Sequence, residues 1–573
     1  MKKQLAMLLT VAMGLTLLTG CGSDDGKSSS VSVEESGPAA ENTEQGSVQE
    51  SEEPDDTGST ESTNGEKSLA DYEKETRLNL FMGDPGITDE EFNAYPMAKI
   101  IAEATGYDIT YTLSPSTEAE TARSNIFMLK EDYQLVSVSK TEFFTLMSLG
   151  ALKPITEYVE ASSYLKDALT EDAWAAARGN DGEIYGVPGY QPKNCSTSGL
   201  AFRLDWLNEY NEANPDSEIL VPAEDNGYSM CLSDFDKMLE YFATKVPSDG
   251  YAMSIDNSLT QIPAILPAFG VYQSWAEVDG KLTYSIEQPG FQDYAKYMDN
   301  LHDSGLAYYQ RSAQDTNTIT MLQSGRSGVG LAYHWQAYPI ETQLADNMPE
   351  EGTVLDTYTN DAIGYIAALV PDDCKGDASK VRVFSEQYAS SYYVVPAHST
   401  DAQAAGAVDF VDKKLEPELF RRLTIGVEGE TFEIREGEYY PILPAFNDEM
   451  QLADQFMTGT RMEDYSKYWL ARTRKTEAQN KIFSTINCNV DSTGIKNPVT
   501  MMPPNEVYDN SWTALDTAVF DSLVLNLYND GEFDLETVLS AWRANNGDEV
   551  TAAVNEWYST WESKDAFNTV KPQ

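Results

Sequence analysis

The sequence is poor in histidine, in basic side chains and in long apolar runs. It has 3 His among 573 residues, which leaves little room for a histidine-rich metal site. Lys and Arg number 39 against 93 Asp and Glu, so the net charge is −54 at pH 7. Such a surface repels nucleic acid and an anionic bilayer face, and we expect neither as the main partner. The aromatic share of 11%, by contrast, exceeds what a disordered chain would have, so the composition indicates an acidic globular protein.

The most apolar run, residues 5–18, follows two lysines at the start of the chain. At 1.5 Å per residue it reaches about 21 Å, short of the roughly 30 Å hydrocarbon core of a bilayer. This is typical of a signal peptide, which we assign to residues 1–20. The run ends in the letters LTGC, which resemble a bacterial lipobox, so we expect Cys21 to be diacylated and to anchor the protein at the extracellular face of the cytoplasmic membrane. An ordinary secretory signal with a chance cysteine is the alternative.

Residues 22–68 are rich in Ser, Glu, Gly, Asp and Thr and lack aromatic side chains. Such a segment buries too little apolar surface to offset its ordering entropy. We therefore expect residues 21–68 to form a disordered acidic tether.

Four cysteines remain after Cys21, namely Cys195, Cys231, Cys374 and Cys488. In an exported protein an even number allows two disulfides, and free thiols are equally compatible with the sequence. Their spacing matches no zinc pattern, and we expect no metal and no cofactor.

From residue 69 onward the pattern alternates between strands and helices. Apolar residues alternate at 78–82, follow helical spacing at 97–104, and indicate further strands at 107–113 and 134–138. This alternation predicts an α/β fold with largely parallel sheets. The chain is too long for one such domain, yet no polar linker divides it, so we expect a chain that crosses several times between two lobes.

Several local patterns resemble the extracellular solute-binding proteins of family 1, which include the maltose-binding-like carbohydrate receptors of ABC transporters. The letters DGEIYGVP at 181–188 and GLAFRLDWL at 199–207 resemble the first crossing between lobes in that family. DGK at 279–281, the segment 321–330 leading to Trp335, and IGVEGETF at 425–432 follow in the family's order.

The resemblance implies a periplasmic-binding-protein-like fold with two lobes and a ligand cleft at the hinge. We place the first lobe at about 69–187 and 390–435, and the second at about 190–388 and 436–573. It also implies a monomeric, non-catalytic protein that captures a sugar or oligosaccharide by lobe closure and delivers it to the permease subunits of an ABC importer. Some members have a calcium loop where this chain reads PSDGY at 247–251, which lacks the ligand spacing, so we do not expect calcium.

An uncharged sugar needs polar partners for its hydroxyls and flat aromatic rings for its C–H faces. Clefts in open α/β sheets lie beyond the carboxyl ends of strands, where we find Asp84, Lys140 and Tyr190. A turn aspartate at position 84 and a core or surface tyrosine at position 190 are the structural alternatives.

Trp335 is the strongest candidate, because it follows a predicted strand and matches a sugar-stacking tryptophan of the maltose-binding-like members. Its neighbour Tyr333 and the aligned Trp512 extend the predicted site. Trp275 precedes a turn, where it either faces the cleft or covers an apolar edge.

Two other function classes fit the composition. An extracellular glycoside hydrolase would also be acidic and aromatic-rich, but we find no local motif for its pair of catalytic carboxylates. A surface glycan-binding protein without a transporter is the third reading.

Overall fold

The computed structural model describes residues 67–190, 195–255, 261–310, 317–385, 389–527 and 533–572, with only the backbone of Tyr190 and Ser390. The predicted signal peptide, Cys21 and all of the tether up to residue 66 lie outside these residues. Residues Ser68–Gln573 form one compact unit.

The strands of the described residues are β1 Arg77–Met82, β2 Asp108–Leu113, β3 Leu135–Val138, β4 Gly186–Tyr190, β5 Ser198–Arg203, β6 Ser229–Cys231, β7 Tyr251–Ile255, β8 Trp275–Val278, β9 Lys281–Tyr284, β10 Ala307–Tyr309, β11 Ser327–Tyr333, β12 Ile363–Ile366, β13 Ala368–Val370, β14 Val383–Ser385, β15 Ala389–Val394, β16 Phe432–Arg435, β17 Glu438–Pro441 and β18 Gly494–Lys496.

The helices are α1 Asp89–Asn93, α2 Pro96–Thr105, α3 Ala119–Leu129, α4 Lys140–Ser148, α5 Thr156–Glu160, α6 Glu171–Ala175, α7 Leu204–Ala213, α8 Leu232–Ala243, α9 Phe291–Asp303, α10 Thr318–Gln323, α11 Ala337–Thr342, α12 Asp401–Lys414, α13 Pro417–Ile425, α14 Ala445–Met450, α15 Met462–Thr473, α16 Glu477–Ile486, α17 Val490–Thr493, α18 Glu506–Leu527, α19 Leu535–Ala544, α20 Gly547–Thr560 and α21 Lys564–Phe567.

The first large sheet has the strand order β2-β1-β3-β15-β4. Strand β1 is parallel to β2 and β3, as the alternation of strands and helices predicts. Strand β15 returns from a distant part of the sequence and is antiparallel to both β3 and β4. The carboxyl ends of β1, β3 and β4 therefore lie at one edge of this sheet.

The second large sheet has the order β10-β7-β11-β5-β12 and repeats this plan. Strand β7 is parallel to β10 and β11, whereas β5 is antiparallel to β11 and β12. In each sheet four of the five strands run in one direction, as expected of largely parallel sheets. The fifth strand, β15 in the first sheet and β5 in the second, enters from the other lobe and runs in the opposite direction. The α/β fold with two lobes is confirmed.

Each sheet has its own apolar core. The first core combines buried side chains of 69–187 with those of 389–471, and the second combines 200–369 with 499–558. Segment 446–471, which the sequence analysis assigned to the second lobe, packs its buried side chains into the first core. The lobe boundaries otherwise stay a prediction.

A buried guanidinium joins three elements of the first core. The side chain of Arg472 is 2% exposed and donates hydrogen bonds to the carbonyl oxygens of Thr424 (3.1 Å) and Met450 (3.2 Å). Its other terminal nitrogen lies 2.5 Å from the Asp454 carboxylate. These bonds fix the last turn of α15 against α13 and α14.

We expect Arg472→Met to lower the free energy of unfolding by about 3 kcal/mol, because it removes the guanidinium that pairs with a half-buried carboxylate and donates to two carbonyl oxygens. Urea denaturation measures this. In the matched control, Arg543→Met breaks the Arg543–Glu536 pair, whose side chains are 48% and 65% exposed. That loss should stay below about 1 kcal/mol, and equal losses in the two variants would contradict the role given to Arg472.

Candidate functional site

Asp84 and Lys140 follow β1 and β3 at the same edge of the first sheet. The half-buried Asp84 accepts a hydrogen bond from the backbone N–H of Gly86 at 2.7 Å, which closes a turn. The described backbone of Tyr190 pairs with Ala389, and its side chain lies outside the described residues.

Lys140 is held at the first position of α4 by a capping box. The Ser139 hydroxyl accepts a hydrogen bond from the Glu142 N–H at 3.2 Å, and the Glu142 carboxylate accepts one from the Ser139 N–H at 2.8 Å. The Lys140 ammonium lies 3.5 Å and 3.4 Å from the carbonyl oxygens of Val499 and Thr500. Because Val499 packs in the second core, this side chain reaches from one lobe to the other.

Burial shifts the pKa values of the two ionisable groups at this contact. It lowers the pKa of Lys140 to about 8, and the carboxylate of Asp509 opposes the shift. Burial also raises the pKa of Asp509 to about 6, against the Asn505 backbone N–H and Lys140, which both lower it. Each group therefore ionises less readily than it would in water, and each favours the charge of the other.

Aromatic rings on α18 stand beside this pair. Tyr508 and Trp512 are one helical turn apart and stack with centroids 4.9 Å apart and planes 9° apart. Trp512 is half-buried and also meets Tyr284 edge to face at 5.3 Å. Trp275 packs behind Trp512 at 6.0 Å and is 0% exposed. Its burial indicates a packing role, in place of the predicted contact with a solute.

A second aromatic pair lies where β11 ends. The rings of Tyr333 and Trp335 stack with centroids 4.8 Å apart and planes 15° apart, and Trp335 is 39% exposed. His334 points inward toward Phe483 and Trp469, with ring centroids at 5.4 Å and 6.2 Å. Burial, with a smaller effect of Lys475, lowers the pKa of His334 to about 3, so the imidazole is neutral at physiological pH.

His334 lies near unsatisfied polar groups and near Lys475, which links it to a charged cluster. Within the described part of the chain, His334 Nδ1 and Trp469 Nε1 are buried without a hydrogen-bond partner. Burial and the neighbouring Arg472 lower the pKa of Lys475 to about 8. Burial alone would raise the pKa of Asp454, but Arg472 and Lys475 hold it below its ordinary value.

Lys140 thus interacts with Asp509 of α18, and the predicted Trp512 stacks on Tyr508 of the same helix. The predicted Tyr333 and Trp335 stack on each other. Sequence reasoning missed Tyr508, Asp509 and Trp469. The i, i+4 spacing of Tyr508 and Trp512 was a usable signal, since such residues share one helix face.

Other predicted features concern cysteine, metal and membrane. The structure holds Cys195, Cys231, Cys374 and Cys488 without a disulfide between them, in line with the thiol alternative left open by the sequence. Among the residues described, no group of three His, Cys, Asp or Glu side chains could hold a metal ion. In the same residues no helix is both long and apolar enough to span a bilayer.

The buried carboxyl of Asp509 gives a pH-dependent prediction. The folded state keeps this proton up to about pH 6, whereas an unfolded carboxyl loses it near pH 4, so ionisation of Asp509 removes stability as pH rises between these values. The melting temperature of Asp509→Asn minus that of the wild type should therefore increase by about 1–3 °C from pH 4 to pH 7.

Thermal scans at several pH values measure this difference. Asp521→Asn, which removes an exposed carboxylate from the same helix, is the control, and the change with pH should be larger for Asp509→Asn than for this variant. A flat difference for Asp509→Asn would show that the carboxyl is not destabilised by burial.

Solved structures share this architecture. The alginate-binding protein AlgQ2 without calcium ion has a TM-score of 0.59 and 16% identity over 86% of this chain and 99% of its own. The ABC-transporter substrate-binding protein FusA of S. pneumoniae, in complex with kestose, has a TM-score of 0.60 and 12% identity over 85% of this chain and 99% of its own. A solute-binding protein from Bifidobacterium longum infantis, described as HMO-binding and ABC-transporter-associated, has a TM-score of 0.57 and 13% identity, covering 84% and 98%.

Sequence comparison identifies the family. An uncharacterized protein in the butB 5′ region of Niallia circulans is 29% identical over 268 residues, which is 46% of this chain and 98% of that protein. Residues 96–426 match the sequence profile of a family described as bacterial extracellular solute-binding protein. This match spans more than half of the chain, and the protein therefore belongs to the bacterial extracellular solute-binding proteins.

Proposed function

We propose that this protein captures an uncharged sugar or oligosaccharide between its two lobes and delivers it to an ABC importer. The principal support is Trp335. An indole that is 39% exposed and already stacked on Tyr333 offers a flat apolar face held in place by its neighbour. Such a face suits the C–H surface of a pyranose or furanose ring.

The polar half of the proposed site comes from both lobes. Lys140 lies in the first lobe, whereas Asp509 and Trp512 belong to α18, which packs in the second. A solute that contacts groups of both lobes stabilises the closed arrangement, because it binds that arrangement more tightly than the open one. The predicted Asp84 and Tyr190 would add polar contacts from the same edge of the first sheet.

The relatives support the same substrate class. A protein described as holding kestose, a neutral oligosaccharide, shares the fold, and the family is one of binding proteins. We therefore propose a receptor rather than an enzyme, with permease subunits as its partners. We also propose that the protein is a monomer and that it is attached to the membrane only through its lipid anchor.

Thermal-shift screening against a panel of neutral oligosaccharides tests the proposed ligand class, because a ligand that binds only the folded state raises the melting temperature. At least one sugar should raise it. Trp335→Ala should abolish the shift, whereas Trp335→Phe, which keeps an aromatic face, should retain part of it. An undiminished shift in Trp335→Ala would remove this residue from the site, and sugar cleavage products after incubation would instead indicate a glycoside hydrolase.

Membrane attachment is tested on the full-length chain in a bacterial host. We expect the wild type to fractionate with membranes and to incorporate labelled palmitate, because two acyl chains anchor durably. Cys21→Ala should lose the label, whereas Cys488→Ala, at a half-buried thiol of the folded unit, should keep it. Labelling that persists in Cys21→Ala would contradict the lipoprotein assignment.

A further inference from the structure

A cavity of about 490 Å³, largely open to solvent, lies between α6 and the carboxyl end of α20. It is separate from the proposed solute site, since neither Lys140 nor Trp335 nor Trp512 lines it. Helix α6 precedes β4, whereas the predicted solute-binding groups of the first sheet follow the carboxyl ends of their strands. The cavity is lined chiefly by Glu171, Asp172, Trp557, Thr560, Trp561 and Glu562.

Two indoles form one wall of this cavity. Trp557 and Trp561 stack with centroids 5.0 Å apart and planes 24° apart, and both are half-buried. The indole N–H of Trp561 points to the Asp172 carboxylate at 3.4 Å, which orients the ring. Aromatic surface is therefore fixed in place and partly open to solvent.

Three carboxyl side chains complete the lining, and none of the described lining residues is basic. Arg178 approaches Glu171 only to 3.7 Å, and the Glu171 side chain remains 81% exposed. The nearby Lys564 turns away, because its ammonium donates to the Ser559 carbonyl and lies 5.7 Å from the Tyr558 ring centroid. The cavity thus combines negative charge with the negative faces of two indoles.

We propose that this cavity is a second binding site, and that it takes a compact organic cation such as a quaternary ammonium or alkylamine group. A cation is attracted both by the face of an indole ring and by nearby carboxylates. The same charge repels an anion, and an uncharged ligand would gain nothing from it. The volume lies within the range of small-molecule sites.

The site joins parts of both lobes. Helix α6 contributes Trp174 to the first core, whereas Trp557 and Trp561 pack against both cores. A bound cation therefore contacts elements of each lobe.

Isothermal titration of the purified protein with choline tests this site. The control ligand is 3,3-dimethylbutan-1-ol, which has nearly the same shape without the charge. We expect choline to bind with a dissociation constant in the millimolar range or below, and the neutral alcohol to bind at least about tenfold more weakly. The weakest cation–π sites have dissociation constants on the order of 20 mM. Failure of choline to bind at about that concentration, or equal binding of the two ligands, would overturn the proposal.

Variants inside and outside the cavity test whether choline binds there. Trp561→Ala and Asp172→Asn should each weaken choline binding about fivefold or more. Glu556→Gln, an exposed change on α20 outside the cavity, should leave it unchanged. If circular dichroism shows that Trp561→Ala is unfolded, Asp172→Asn and Glu562→Gln decide the outcome.

Trp335→Ala should also bind choline normally, since that residue lies in the other site. Loss of choline binding in Trp335→Ala, or an equal loss in Glu556→Gln and Asp172→Asn, would place the cation elsewhere. A protein that binds choline but no sugar would contradict only the proposed function.

Discussion

Strand β15 pairs with β3 on one side and with β4 on the other, and this pairing holds together parts of the chain that the whole second sheet separates in sequence. Without β15, β4 would have no partner in the first sheet, and the segment that leads into the second lobe would leave from an unpaired edge. The antiparallel direction of β15 follows from its origin, because it enters the sheet on its return from the second lobe. The first core depends on the same return, since residues 389–471 supply much of its buried surface.

The boundary between the lobes contains ionisable groups that ionise less readily than they would in water. Lys140 and Asp509 both lose solvation there, yet each supports the charge of the other. Burial outweighs this support, so the two charges together still cost stability, although less than either would cost without its partner. A boundary of this kind suits a protein whose lobes move, because polar contacts that are only weakly favourable can be exchanged for contacts to a solute.

The regular part of the fold could be predicted from the sequence. The strand predicted at 78–82 lies within β1, and the helical spacing at 97–104 lies within α2, because local spacing decides such elements. The direction of β15 could not be predicted, since pairing between distant segments leaves no local pattern. For the same reason, the packing of segment 446–471 in the first core could not be predicted.

Some residues of the candidate site could likewise be predicted from the sequence, and others could not. Trp335 lies at the end of its strand with an exposed face, and its role in solute binding stays a prediction. Trp275 looks equivalent in sequence, but the hairpin β8–β9 turns it beneath Trp512, and only the packed structure distinguishes the two. Trp469 belongs to the first core and meets His334 of the second sheet, so its place depends on how the lobes meet.

The interleaving of the two sheets also constrains the order in which the protein can fold. Because β15 is made only after all strands of the second large sheet, the first lobe cannot complete its sheet while the ribosome is still adding the middle of the polypeptide. Contacts of such long sequence separation form slowly. A nascent chain of this design therefore stays unfinished until late in synthesis, a state compatible with passage through a narrow translocation channel before the two halves fold.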